Sequence, residues 1–156
     1  MISLTRIVIV DNHALFRDAL RELLSEQPDF RIVGEAGNLR EAIRSVGALS
    51  PHLVLTDLTM PDTHGIEAVV EIKRHYPDVM VLVISLHREI EFKHGCRKAG
   101  ANGYIVKDAI DAELLDGIRT VLGGKTYLGA NAADEMVSDC VLGYAATGED
   151  RGCFPH

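Results

Sequence analysis

Asp57 stands at the carboxyl end of a short apolar run, Leu53, Val54 and Leu55, and just ahead of the turn residues Pro61 and Gly65. A lone aspartate in that place is most simply a turn cap. Three other apolar runs end on polar groups as well. Arg6 to Val10 ends at Asp11-Asn12, Val79 to Ile84 ends at Ser85, and Tyr104 to Val106 ends at Lys107. If these runs are parallel strands, all four ends share one edge of the sheet, where open α/β folds bind their ligands. Two carboxylates brought close together repel, so a cation must compensate. Mg²⁺ suits carboxylate, carbonyl and water ligands. Lys107 adds a fixed positive charge and Ser85 a hydroxyl donor. The set describes a pocket for an oxygen-rich anion on a carboxylate. The chemistry that fits is attack by Asp57 on a phosphoryl group to give an aspartyl-phosphate. The metal and Lys107 would stabilise the charge on the phosphoryl oxygens.

The elements that must position these groups are legible in order. The β-branched run from Arg6 to Val10 reads as a buried strand. A helix follows with Phe16, Leu20, Leu23 and Leu24 on one face, closed by Pro28 and Asp29. Phe30 to Ala36 is a second strand, and Asn38 can cap a helix carrying Leu39, Ala42, Ile43 and Val46. Leu53 to Leu55 is the third strand. Ile66, Val69 and Val70 mark a helix with a short apolar face, since Lys73 falls where the stripe would continue. Val79 to Ile84 should be a central strand covered on both faces. The helix from about Glu89 to Ala99 is the weakest, with only Phe92, Cys96 and Ala99 as its stripe and Gly95 inside it. A glycine there costs about 1 kcal/mol against alanine. Tyr104 to Val106 is the fifth strand, and Leu114, Leu115, Ile118, Val121 and Leu122 stripe the last helix before Gly123-Gly124. Five βα repeats predict a parallel sheet with right-handed crossovers and helices on both faces.

The 156 residues suffice for one domain with a tail, and 47% hydrophobic residues suffice for a core. A net charge of −7 argues against this chain alone holding a nucleic-acid backbone. No apolar run approaches the roughly 18–20 residues that span a bilayer. The first strand starts too early to leave room for a signal peptide. Cys96, Cys140 and Cys153 form no Cys-x-x-Cys pair and read as reduced thiols. A cytoplasmic location without membrane contact is expected. After residue 125 the pattern changes: Asn131 to Leu142 could form a short helix, and the rest reads as linker.

The motifs Val10-Asp11-Asn12-His13, Asp57-x-x-Met60-Pro61-Asp62-x-x-Gly65, Val83-Ile84-Ser85 and Gly103-Tyr104-Ile105-Val106-Lys107-Asp108-Ala109 together resemble the receiver domain of two-component response regulators. Gly-Ala-Asn-Gly-Tyr-Ile-Val-Lys-Asp-Ala is most similar to the NarL/FixJ (LuxR-type) subfamily, whose receiver precedes a helix-turn-helix DNA-binding domain. The resemblance implies a flavodoxin-like (CheY-like) fold with strand order 2-1-3-4-5. It implies a receiver over residues 1–125 and a linker over 126–156, with the output domain lying outside this chain. It implies that a histidine kinase phosphorylates Asp57, and that Asp11, position 12, Asp57 and the backbone carbonyl of Thr59 hold Mg²⁺. Ser85 and Tyr104 would act as the switch pair, with Tyr104 turning inward. The surface of the fourth helix, fifth strand and fifth helix would change, with a homodimer as one outcome. Such a domain is a phosphoacceptor, not a conventional enzyme. DNA would be reached only through the output domain. This sequence departs from the family pattern at Asn12, where a second acid is usual. The amide keeps a carbonyl oxygen and loses one negative charge, so Mg²⁺ affinity should fall.

Other classes fit less well. The seven histidines form no His-Glu-x-x-His ligand set. A haloacid-dehalogenase-type phosphatase wants Asp-x-Asp at the nucleophile, where this chain has Asp57-Leu58-Thr59. An FMN binder of the same topology needs a Ser-, Thr- and Gly-rich loop after the first strand, and Asp11-Asn12-His13 has the wrong charge. His13 and His87 read as exposed loop residues near the pocket rim. Asn12 keeps one alternative alive, a receiver-like interaction module that works without phosphorylation.

Overall fold

Successive residues along the strands of a single parallel sheet face opposite layers, and the central strands are buried on both. The computed structural model describes residues 4–63 and 65–129. Its elements are β1 (Thr5–Val10), α1 (Ala14–Ser25), β2 (Phe30–Ala36), α2 (Leu39–Leu49), β3 (Leu53–Thr56), α3 (Glu67–His75), β4 (Met80–Ser85), α4 (Ile90–Lys98), β5 (Gly103–Val106) and α5 (Ile110–Leu122). The five strands lie in the order β2-β1-β3-β4-β5, all parallel. The expected CheY-like architecture is therefore present. The short helix expected from Asn131 to Leu142, and Cys140 and Cys153, lie outside the described residues. Among those described, no helix is long and apolar enough to cross a membrane.

Ile7, Ile9, Leu53, Leu55, Leu82, Ile84 and Ile105 face α1 and α5, where Leu20, Leu24, Leu114, Ile118 and Val121 meet them. Val8, Val10, Val54, Val81, Val83 and Tyr104 face the opposite layer, with Ala42, Val46, Val69, Ile72 and Cys96. The branched side chains suit a pleated sheet buried on both faces. Each of the larger core side chains contributes roughly 1.5–3 kcal/mol by leaving water.

Three local expectations need correction. Val70 is 44% exposed, and α3 instead buries Ala68, Val69 and Ile72. The helix begins at Glu67, and its inward face at positions 68, 69 and 72 leaves Val70 about 150° from the centre of that face. Lys73 does not simply interrupt that face. Its stem lies along Gly100, where an added Cβ would meet Lys73 Cγ at 3.1 Å, and its Nζ donates to the Val79 carbonyl at 2.6 Å. Within α4, Lys93 is buried beside Cys96, a position the apolar stripe did not include. Gly95 in the same helix admits the tip of Ile66: a Cβ there would meet Ile66 Cδ1 at 3.0 Å.

The chain past α5 returns to the sheet. Tyr127 forms a parallel bridge to Gly103, its amide donating to the Asn102 carbonyl at 3.1 Å and its carbonyl accepting from Tyr104 at 2.7 Å. Leu128 is buried in the layer that holds Tyr104 and Cys96. Both residues lie just beyond position 125, and both cover what would otherwise be an open strand edge.

Candidate functional site

The carboxyl ends of β1, β3, β4 and β5 bring Asp11, Asp57, Ser85 and Lys107 to one edge of the sheet. Register explains why. Val10 pairs with Thr56, Thr56 with Val83, and Ser85 with Val106, so the chain leaves each strand at nearly the same level. The Asp57 amide still donates to the Val10 carbonyl at 2.9 Å, and the Asp11 amide donates to that of Ala36 at 2.9 Å. Both aspartates are thus fixed by the sheet ladder before their side chains make any contact.

Lys107 Nζ lies 3.0 Å from Asp11 Oδ2 and 3.3 Å from Asp57 Oδ2, bridging the two carboxylates. All three groups are buried or nearly so, with side-chain exposures of 11%, 2% and 6% for Lys107, Asp11 and Asp57. Low local dielectric strengthens this arrangement and makes the removal of any one charge costly. The Leu58 amide donates to Asp57 Oδ1 at 2.7 Å, which holds the carboxylate plane. The Phe16 ring lies 4.4 Å from Lys107 Nζ, a cation–π contact that supports the ammonium from below. Ser85 is buried, and its Oγ accepts from the His87 amide at 3.1 Å.

The residues offer a cation a natural place. Asp11 Oδ2 is buried and makes no geometrically good hydrogen bond, its neighbour being the Lys107 ammonium at 3.0 Å. One ligand atom each from Asp11, His13 and Asp57 lies within 4.8 Å of the others. Two buried acids that present carboxylate oxygens to one another suit a divalent ion. Asn12 and Thr59 are exposed residues on the rim. Sequence reasoning placed His13 on that rim as a loop residue. In the structure its amide donates to Asp11 Oδ1 at 2.8 Å and its Nδ1 lies 3.2 Å from the same oxygen. Reading Phe16 only as a core residue also missed its place beneath Lys107. Their positions, two and five residues past Asp11, put both at the start of α1, the one available signal.

Tyr104 is fully buried, with its ring inward among Cys96 and Leu128. The resemblance reserves that inward position for a switched state. Here the ring fills the layer between β5 and α4, and its hydroxyl donates to the His87 carbonyl at 2.7 Å. Burial pushes the phenol up to about 12, against a smaller opposing effect from Ser85. Asp62, quoted only as part of a motif, is exposed and away from the carboxylates. It accepts from the amides of Leu39 at 2.8 Å and Arg40 at 3.0 Å, tying the loop after β3 to the start of α2.

Comparison with known proteins agrees with this geometry. Residues 7–119 match the family described as response regulator receiver domain. The chain is 31% identical over 134 residues to the transcriptional regulatory protein DegU of Brevibacillus brevis, covering 86% of this chain and 57% of DegU. It is 32% identical over 135 residues to the DNA-binding transcriptional activator DevR/DosR of Mycobacterium tuberculosis, covering 86% of this chain and 62% of that protein. The chain therefore spans about three fifths of the length of these curated relatives. A crystal structure of a LuxR-family two-component response regulator from an Aurantimonas species superposes with a TM-score of 0.82 at 32% identity, covering 89% of this chain and 99% of that one. On its fold, its strand-end carboxylates and lysine, and these similarities, the chain belongs to the response regulator receiver domain family, among relatives of the LuxR type.

Proposed function

We propose that Asp57 is the phosphoacceptor of this domain and that a histidine kinase is the donor. The observation that carries the reading is Lys107, held between Asp11 and Asp57 with its ammonium against the oxygen that would carry the new group. An Asp57 carboxylate oxygen attacks phosphorus, the phosphorus–nitrogen bond of a phosphohistidine breaks, and the imidazole leaves with a proton from solvent. Lys107 then pairs with the phosphoryl oxygens, and the Ser85 hydroxyl donates to them. Asp11, Asp57, the Asn12 side-chain oxygen and the Thr59 backbone carbonyl are the groups that would hold Mg²⁺. The ion would neutralise charge on the transferring oxygens.

Phosphorylation adds negative charge and strong acceptor oxygens at the sheet edge. Drawing Ser85 and Lys107 toward them moves the ends of β4 and β5, and with them the face formed by α4, β5 and α5. That face would change its self-association or its docking of a downstream helix-turn-helix domain, through which the whole protein would control transcription in the cytoplasm. We assign residues 1–125 to the receiver, whose β5 edge Tyr127 and Leu128 cover, and the rest of 126–156 to the connection with that output.

The test is intact-mass measurement after treatment with acetyl phosphate and Mg²⁺. One phosphoryl addition is expected, absent in Asp57→Asn; an addition retained in the variant would overturn the assignment. Asn12 favours a second reading, a module whose contacts do not depend on phosphorylation. That reading gains if no addition occurs while the protein still binds its partner domain.

A further inference from the structure

We propose that residues 126–129 are the resident partner of the face formed by α4, β5 and α5. They stay seated only while Tyr104 points inward, and the domain signals by how firmly they are held, not by offering that face to a second copy. The effect of phosphorylation on them rests on the reading of Asp57 above.

The edge strand of a sheet ordinarily presents unpaired backbone groups. β5 is the last strand of this sheet, yet Gly103, Tyr104 and Ile105 are buried. The segment after α5 closes that edge. The Tyr104 amide donates to the Tyr127 carbonyl at 2.7 Å, and the Tyr127 amide donates to the Asn102 carbonyl at 3.1 Å. On α5, the Tyr127 ring lies over Gly117 and its hydroxyl donates to Glu113 Oε1. Gly129 then passes between the two helices. A Cβ built there would lie 3.6 Å from Glu113 Oε1 on α5 and 3.7 Å from Lys93 Nζ on α4. Its φ of +113° is one that glycine adopts freely and other residues rarely do. Three consecutive residues thus reach α4, β5 and α5, and little of β5 is left for a second molecule.

The seat depends on Tyr104. Its ring is 0% exposed and shares a layer with Cys96 of α4 and with Leu128. The sheet lies on one side of the ring and α4 on another, so the way out is the β5 edge, which Leu128 fills. A ring turned outward and a seated Leu128 need the same space and exclude one another. The ring is also tied to the phosphorylation site. Its hydroxyl donates to the His87 carbonyl at 2.7 Å, and the His87 amide donates to Ser85 Oγ at 3.1 Å. Ser85 ends β4, and β3, which leads into Asp57, lies on the side of β4 away from β5. Drawing Ser85 toward a phosphoryl group on Asp57 therefore pulls the ring away from the edge. The seat of Leu128 stays clear, and the segment is held more tightly.

The experiment is amide hydrogen exchange by nuclear magnetic resonance on the full chain, with circular dichroism as the check on folding. The Tyr104 amide reports directly, because its acceptor belongs to the segment. Gly129→Val forces a β-branched residue into left-handed backbone and should speed exchange at Tyr104 and Tyr127 together, by roughly tenfold. If Tyr127 speeds up while Tyr104 does not, the segment does not cover β5 and the inference fails. Leu128→Asp places a carboxylate in an apolar seat and should lift the segment. The nuclear Overhauser contact between the Tyr104 ring and Cys96 should then weaken; a contact of full strength would sever the ring from the segment. Gly129→Val carries this measurement where Leu128→Asp does not fold. Beryllium fluoride with Mg²⁺ should slow exchange at Tyr104 and Tyr127 by at least about fivefold in wild type and not in Asp57→Asn. The slowing should be independent of protein concentration. Protection that grows with concentration would mean that a second copy covers the face. Unchanged or faster exchange, with the mimic shown to be bound by its fluorine resonance, would also overturn the inference. A mimic that does not bind wild type at all would count against the phosphoacceptor reading alone, and the two variants would still decide whether the segment is the partner of this face.

Discussion

The hydroxyl of Tyr104 donates to the backbone carbonyl of His87 at 2.7 Å, joining β5 to the loop between Ser85 and α4. His87 in turn stacks on Phe92, ring centroids 4.0 Å apart, and its amide donates to Ser85 Oγ. One buried phenol thus links the strand of Lys107 to the loop of Ser85. Tyr104→Phe leaves the His87 carbonyl without that donor and should cost about 1 kcal/mol in urea unfolding. Hydrogen exchange should rise over residues 86–89. The raised phenol also gives a signed pH effect. Its stabilising contribution is complete below 10.0, the ordinary value, and is lost as pH climbs toward about 12. An ultraviolet titration in which Tyr104 ionised at its ordinary value would show the ring to be exposed.

The same face should report the signal. A beryllium fluoride phosphate mimic added with Mg²⁺ is expected to change hydrogen-exchange protection most over residues 85–107. The stretch from Leu39 to Val46 in α2, at the β2 edge of the sheet and far from β5, should hold constant. Equal responses in the two stretches would move the switch elsewhere and favour the phosphorylation-independent module.

Tyr127 and Leu128 clamp the edge of β5, and glycines make the room. An added Cβ at Gly117 would meet the Tyr127 ring at 3.2 Å, and one at Gly103 would meet the Tyr127 carbonyl at 3.2 Å. The Tyr127 hydroxyl donates to Glu113 Oε1 at 2.7 Å. Leu128→Ala should destabilise the domain by roughly 2–4 kcal/mol, as expected for a buried leucine. Tyr127→Phe should cost less, about 1 kcal/mol. If Leu128→Ala unfolds at the wild-type urea midpoint, the segment is not part of the folded unit.

Burial pushes the Cys96 thiol up to about 12. In a Cys140→Ser, Cys153→Ser background, native protein should resist iodoacetamide at pH 8, because the thiolate is the reactive form. Full labelling should appear only in denaturant. Rapid labelling of the native protein would show that α4 opens away from the sheet.

Asp62 feels two opposing effects. Burial would raise its carboxyl, but the Leu39 and Arg40 amides outweigh that and hold it below the usual carboxylate range. Its stabilising contribution is therefore present above 3.8, the ordinary value, and is lost as pH falls through the lowered one. Asp62→Ala should cost about 1 kcal/mol near neutral pH, as for other helix-start ligands. It should also flatten the acid limb of the stability curve. An unchanged acid limb would show that the Asn38 cap suffices for α2.

The sequence by itself determined the five βα repeats, because strand and helix periodicities are local properties of side-chain order. It also determined which residues end the strands. Once all strands run parallel, Asp11, Asp57, Ser85 and Lys107 must reach one edge, so the site was legible as chemistry before any distance was known. Periodicity was least informative in α3 and α4, where the apolar stripe is short. There the helix start and the neighbouring elements decided that Val70 faces out and Lys93 in. Only the tertiary structure decided how far apart the charges lie and which of them Lys107 touches. It also decided that Phe16 supports Lys107, that Asp62 caps a helix from a different loop, and that Tyr104 is inward with Leu128 beside it. Each depends on contacts between segments distant in the chain, and pairwise packing of that kind leaves no periodic trace in the order of residues.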